Sequence, residues 1–209
     1  MQVRVVPLDD EEEEAIEKGL QEYRPLANHF QTLRTFFSLY LRDLSGEDMA
    51  RLEMALEEVY EKHDITWTTR PEAVPSDAWL HIGHLHEWIE LKSKKEAEWE
   101  RLALRLRSAA KGADSALWAG HSTIKGDAEF TVLDIKNLME GSQNVIAAQY
   151  FNILTWSWNE ISKNRTEQIL FGMDEGYLIA DPKAPDALRY VRNISKRIRK
   201  YGGGLFFIT

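Results

Sequence analysis

The sequence predicts an all-α domain followed by an incomplete α/β unit, a parallel sheet with covering helices. Three observations predict it. Apolar residues recur at helical spacing from Ile16 to about Ala110. Beyond Phe130, short β-rich runs alternate with helical stretches in the order strand, helix, strand, helix, strand, the signature of a parallel sheet with crossover helices. The last run stops at Thr209, so the sheet is expected to be cut short. The expected domains are 10–120, all helical, and 121–209, α/β.

The helices follow in order. Ile16, Leu20 and Tyr23 mark the first, and Pro25 restarts the pattern, because proline suits a first helical turn and not an interior. Leu26, Phe30, Leu33, Phe37, Tyr40 and Leu41 continue an apolar stripe. Ser45 followed by Asp48 reads as a cap for the next helix, with its core face at Met49, Leu52, Leu56, Val59 and Tyr60. Asp64 to Pro75, with β-branched residues and two prolines, reads as a loop. Ser76 is expected to cap a helix carrying Trp79, Ile82, Leu85 and Ile89, and a charged helical tract runs to Ala110, with Gly112 as its stop. Phe130 to Ile135 reads as a strand, Gly141 to Ser162 as a helix, and Gln168 to Met173 as a second strand ending in Asp174-Glu175. Pro185 opens a basic amphipathic helix that ends near Tyr201. Gly202 to Gly204 then turn the chain into a third strand, Leu205 to Ile208.

Composition narrows the function classes. The 209 residues are 44% hydrophobic and 29% charged, enough to bury a substantial core. No apolar run approaches the roughly 20 residues that span a bilayer. The start, MQVRVVPLDD, lacks a signal-peptide apolar core. Zero cysteines exclude disulfides and thiolate metal sites. A net charge of −8 argues against a protein that coats DNA generally, while leaving room for a local basic patch. Asp9 to Glu14 form an unbroken acidic run, read as a first helical turn whose carboxylates complement the helix dipole. Lys183, Arg189, Arg192, Lys196, Arg197, Arg199 and Lys200 crowd one segment near the other end.

An apolar strand followed by Asp-Glu is the Walker B pattern. A buried strand holds both carboxylates at its C-terminal edge, where open α/β sheets bind ligands. There the first acid can help hold the Mg²⁺ that bridges phosphates, usually through water, and the second can orient or deprotonate an attacking water.

FTVLDI, then AAQYFNILTWSWNEI, NRTEQILFGMDEGYLI and DALRYVRNISKRIRKYGGGLFFIT together resemble the conjugative DNA-transfer ATPases of type IV secretion systems (TraC/TrbE-like motors). Lys196, Arg199, Lys200, Tyr201 and Gly202 match that family's basic helix ending, although the Gln that follows the final strand's Thr is missing after Thr209. PLANHFQTLRTFFSLYLRDLS, ALEEVYEKHDI and SALWAGHSTI resemble segments of the all-α domain that the family inserts in its motor core. The resemblance covers most of the chain, with more specific motifs after Phe130. It implies a partial RecA-like P-loop NTPase core, with Asp174 on the magnesium side and Glu175 as catalytic acid. It implies that Lys196, Arg199 and Lys200 stabilise phosphoryl charge, in some cases from a neighbouring subunit. ATP and Mg are the implied cofactors of the intact parent. The implied partners are other secretion components, further copies of the motor and, through the basic helix, DNA. The implied location is the cytoplasm, at the inner face of the membrane through partners.

One departure is large. No G-x-x-x-x-G-K-[ST] occurs, and the glycines at 202–204 precede a strand with no following Lys-Ser/Thr. The phosphate-binding loop supplies backbone N–H groups and a lysine to the phosphates, so most of the nucleotide cradle is missing. In the family that loop lies N-terminal to the helical domain. The expectation is a chain that begins after it and is inactive alone. The alternatives are a degenerate homologue and a non-catalytic interaction module.

Other features read as structural. His81, His84 and His86 form H-x-x-H-x-H in an expected helix, where His81 and His84 share a face and His86 does not join them, so all three read as helix-surface histidines and no metal site is expected. Trp79, Trp88 and Trp99 read as packing residues and not as a base-stacking platform. Asp134 reads as a strand-ending acid. Asn164-Arg165-Thr166 matches a glycosylation acceptor, which has no meaning without secretion.

Overall fold

The computed structural model describes residues 10–19, 22–75, 77–124, 128–164, 166–174 and 185–208. They fall into two compact units: 24–34 with 43–124, and 10–19, 22–23, 35–42 and 128–208.

The first unit is helical. It takes the first part of α2 (Pro25–Tyr40), then α3 (Gly46–Glu61), α4 (Ile82–Ser93), α5 (Glu100–Lys111) and the short α6 (Ser115–Trp118). Ser45 caps α3 as its position suggests: its Oγ accepts the Asp48 N–H at 3.0 Å and donates to Asp48 Oδ2 at 2.8 Å. The core face of α3 is Leu52, Ala55, Leu56, Val59 and Tyr60, all buried, with Leu85 and Ile89 of α4 and Leu102 and Leu106 of α5 buried in the same unit. Glu58 ties α3 to α4, accepting Trp88 Nε1–H at 2.7 Å and Lys92 Nζ at 2.6 Å. The Lys92 ammonium also lies 4.6 Å from the Trp99 ring centroid. Trp79 and Trp99 are buried and Trp88 is half-buried, in keeping with packing roles.

Two boundaries here differ from expectation. Trp79 and Leu80 precede α4, which starts at Ile82 behind His81, and Ser76 lies outside the described residues. The tract expected to run unbroken to Ala110 is interrupted at Lys94 to Trp99. There a 3₁₀ turn (Ala97–Trp99) re-aims the chain so that the Trp99 ring is buried while its Nε1–H donates to Glu96 Oε2 at 3.0 Å. Burial of that one large ring outweighs continuation of the helix.

The second unit holds α1 (Asp10–Glu17), the later part of α2, α7 (Gln143–Lys163), β1 (Ile169–Met173), α8 (Pro185–Arg197) and β2 (Gly203–Phe207). Asp10 to Glu14 of the acidic run lie in α1. The strands pair in parallel, Ile169 opposite Gly203 and Met173 opposite Phe207. Parallel strands need a crossover, and α8 lies in the connection. The helix α7 buries Val145, Ala148, Phe151, Leu154, Trp158 and Ile161, and α8 buries Ala187 and Ile194, followed by Ile198 and Tyr201 in the 3₁₀ turn Ile198–Tyr201. Trp158 meets Tyr201 edge-on at 5.2 Å, and Phe151 meets Tyr190 likewise at 5.2 Å.

The expected first strand is absent. Phe130 to Ile135 make no sheet pairing, and Phe130 and Val132 are 84% and 71% exposed. The sheet among the described residues therefore has two strands, not three, and β1 is not flanked on both sides. β-Propensity alone does not make a strand without a neighbour to take its hydrogen bonds. Asp134 also works against an extended run, because its Oδ1 accepts the Lys136 N–H at 2.8 Å and closes a local turn. Asp134 thus ends no strand and marks no sheet edge.

The glycines at 202–204 have structural reasons. Gly202 has φ +66° and closes the 3₁₀ turn, its N–H directed to the Arg199 and Ile198 carbonyls. At Gly203 a Cβ would stand 2.6 Å from Ile198 Cγ1 and 3.1 Å from Ile161 Cγ2, so β2 approaches these side chains only because the residue has none. Gly203 and Gly204 belong to β2 itself and not to the turn before it.

Candidate functional site

The site is built on β1, α8 and β2. Asp174 directly follows the last residue of β1 and is exposed. Two contacts hold that strand end. Ile208 N–H donates to the Met173 carbonyl at 2.9 Å, extending the ladder, and Tyr150 Oη of α7 donates to the Asp174 carbonyl at 3.0 Å. The Tyr150 bond goes to the Asp174 backbone. An acid in this position stands at the C-terminal edge of a parallel pair, the edge at which open α/β sheets take ligands. Glu175 lies outside the described residues.

Lys196, Arg199 and Lys200 are exposed and sit at the end of α8 and in the turn after it. That turn leads into Gly203, which pairs with Ile169, the first residue of β1. The basic group therefore stands at the N-terminal edge of the sheet, opposite to Asp174. Four residue steps of about 3.3 Å separate the two edges, roughly 13 Å. The structure does not bring the acid and the basic residues together within one chain. It groups Lys196, Arg199 and Lys200 with one another, with Arg192 exposed on the preceding turns of α8. Among the described residues none of these four makes an ion pair.

The donor chemistry fits one half of a nucleotide site. A carboxylate oxygen is a hard donor suited to magnesium or to its bound water. Phosphates, by contrast, need a run of backbone N–H groups and a lysine. The only glycine-rich stretch, 202–204, is engaged in turn closure and close packing and does not fit that task.

A second constellation escaped sequence reasoning. His81 is the N-cap of α4 and not a residue inside it, and its Nδ1 accepts the Gly83 N–H at 3.1 Å. The His84 Nδ1 accepts the His81 N–H at 3.2 Å, completing a reciprocal cap. Their ring centroids are 3.9 Å apart, His63 lies 5.7 Å from His84, and His121 lies 5.7 Å from His81. His63 and His121 are too distant in sequence for any spacing rule to find. His86 is not a surface histidine: it is 1% exposed, and its Nε2 lies 3.0 Å from the Ala103 carbonyl. Burial lowers the pKa of His81 to about 4, with repulsion from His84 adding to it, and burial also lowers His84 and His86. Among the described residues no three His, Cys, Asp or Glu side chains are placed so that they could hold a metal ion together.

No protein-family model matches the chain, and no curated protein matches it. Against solved structures, the chain proves to belong to the VirB4-like family of type IV secretion ATPases. The match that shows it is VirB4 of Thermoanaerobacter pseudethanolicus, 45% identical, with a TM-score of 0.86 over 90% of this chain. The chain spans about half the length of that protein, 50%. No helix among the described residues is long and apolar enough to cross a membrane.

Proposed function

We propose that this chain forms part of an ATP-driven motor of type IV secretion and carries the hydrolytic edge of its site. The observation that supports this most is the Asp174 position: a strand-end acid at the C-terminal edge of a parallel β–α–β unit, in a chain 45% identical to VirB4. In this reading residues 121–209 belong to a RecA-like core with a Walker B strand at β1, residues 10–19, 22–23 and 35–42 group in the same compact unit, and the rest of 10–120 forms the helical domain. Asp174 faces the magnesium side and Glu175 orients or deprotonates the attacking water. A motor built this way works in the cytoplasm, alongside other secretion components.

Lys196, Arg199 and Lys200 act in this reading on a site other than their own chain's. Their place at the opposite sheet edge from Asp174 supports it, because a gap of roughly 13 Å is beyond the reach of one shared phosphate. A second copy in a homo-oligomer supplies the acceptor. DNA contact through the same cationic helix is the other use of such a face.

These 209 residues hold no phosphate-binding loop, so the chain by itself binds no nucleotide productively. ATP and Mg come into play only where such a loop is supplied by sequence outside these residues. The test is turnover of Mg-ATP by the 209-residue chain, alone and joined to a phosphate-binding-loop segment from a VirB4-like protein. The expected result is no turnover alone, and turnover in the joined protein that Glu175→Gln abolishes. Turnover by the isolated chain that Glu175→Gln abolishes would overturn the inactive-alone reading. A joined protein that binds no nucleotide would overturn the motor reading. It would favour the second one, a non-catalytic interaction module or degenerate homologue, which the missing cradle itself supports.

A further inference from the structure

All six histidines of the chain lie in the helical unit, and four of them, His63, His81, His84 and His121, form a chain of ring contacts around the start of α4. We propose that this four-histidine cluster is a proton-sensitive latch, holding the first turn of α4 closed while its imidazoles are neutral and releasing it on acidification.

The geometry requires neutral rings. An imidazole nitrogen that accepts an N–H must carry a lone pair, and a protonated ring has none. Both His81 Nδ1 and His84 Nδ1 are acceptors, so protonation at either breaks one arm of the cap and leaves a backbone N–H at the helix start unpaired. The start of a helix is also its positive end and repels an imidazolium. His63 approaches His84 from the end of α3 and His121 approaches His81 from beyond α6, closing the pair in on both sides; His63 Nδ1–H is donated to the Val59 carbonyl at 2.8 Å. Glu87, one turn along α4, pulls the other way and favours the charged rings. It is exposed and is one carboxylate against four imidazoles.

Gly83 shows that the arrangement is built in. A Cβ there would lie 2.8 Å from both Nδ1 and Cε1 of His81, so the ring folds over the helix start in space that only glycine leaves open. The turn so held carries Ile82 and Leu85 into the core. Release of the latch therefore loosens α4 within its own unit, while the second unit holds no histidine to respond.

The experiment uses the full 209-residue chain and measures amide-exchange protection at His81 and Gly83, corrected for intrinsic exchange, from about pH 8 to about pH 5. Protection is expected to fall about tenfold per pH unit below about pH 6.5 for each imidazole that must be neutral. The variant His81→Asn/His84→Gln keeps side-chain acceptors at both cap positions without a titrating ring. Its protection should fall by less over the same range, because only His86 of the lowered histidines in α4 remains. Unchanged wild-type protection to about pH 5, or the same fall in the variant, overturns the latch. If the variant does not fold, imidazole nitrogen shifts in the wild type decide: titration of His81 and His84 below about pH 6.5 upholds it, and titration at or above that value overturns it.

Discussion

Replacing Gly203 by alanine should destabilise the β1–β2 unit, whereas the same replacement at Gly172, in the paired strand, should stabilise it. The new Cβ at 203 would stand 2.6 Å from Ile198 Cγ1 and 3.1 Å from Ile161 Cγ2, and both isoleucines are buried. Carbon contacts are comfortable at about 3.5–4.0 Å, so strand or side chains must give by about 1 Å. Overpacking of this kind costs roughly 1–3 kcal/mol, and alanine returns about 0.5–1 kcal/mol by restricting the unfolded chain. The net loss is about 0–2.5 kcal/mol, or up to roughly 10 °C of melting temperature for a chain of this size. At Gly172 nothing lies within 4 Å of the added Cβ, so only the gain of about 0.4–1 kcal/mol remains. Thermal unfolding by circular dichroism gives the sign. Amide exchange at Ile169 and Ile208, whose N–H groups bond to Gly202 and Met173, localises it to the sheet. Two shifts of the same sign would refute the packing argument and return the glycine triplet to consideration as a loop with another purpose.

Three further outcomes follow from the same reasoning. Leu106→Ala empties a fully buried position of α5 and should cost roughly 2–5 kcal/mol, read as a lower urea midpoint. Ser45→Ala removes the α3 cap and also the hydroxyl donor to Asp48, a carboxylate only 3% exposed; the expected loss is about 1–2 kcal/mol, by the same assay. Stability should fall with acidification. His81 is held to about 4 by burial and by His84, and His84 and His86 are also lowered, so the unfolded chain binds their protons first. Their contribution is complete above about pH 6.5 and is lost as pH falls toward 4. Melting temperatures that rise over that window would contradict it.

Much of the helical half was legible because it rests on local rules. The Leu26–Leu41 stripe, the Ser45 cap and, apart from half-buried Met49, the α3 core face each follow from spacing or from one capping group and are where those rules put them; so is the helix from Pro185 in the other unit. The second strand and its terminal Asp174 were legible for a similar reason, an apolar run with an acid at its end. What failed was whatever depended on partners distant in sequence. Phe130 to Ile135 has the composition of a strand but no neighbour to pair with. The helix after Ser93 breaks because Trp99 finds a buried place elsewhere.

The candidate site divides in the same way. The sequence by itself determined which groups are present: an acid after an apolar strand, a basic helix ending, six histidines and no phosphate-binding loop. Only the tertiary structure decided how they are grouped. Parallel pairing with an intervening helix sends Asp174 and the Lys196–Lys200 segment to opposite edges of one sheet, because two parallel strands share a direction and the crossover must return to the starting edge. Chain packing likewise brings His63 and His121 to the His81–His84 cap, since ring contacts form in space and leave no period in the sequence.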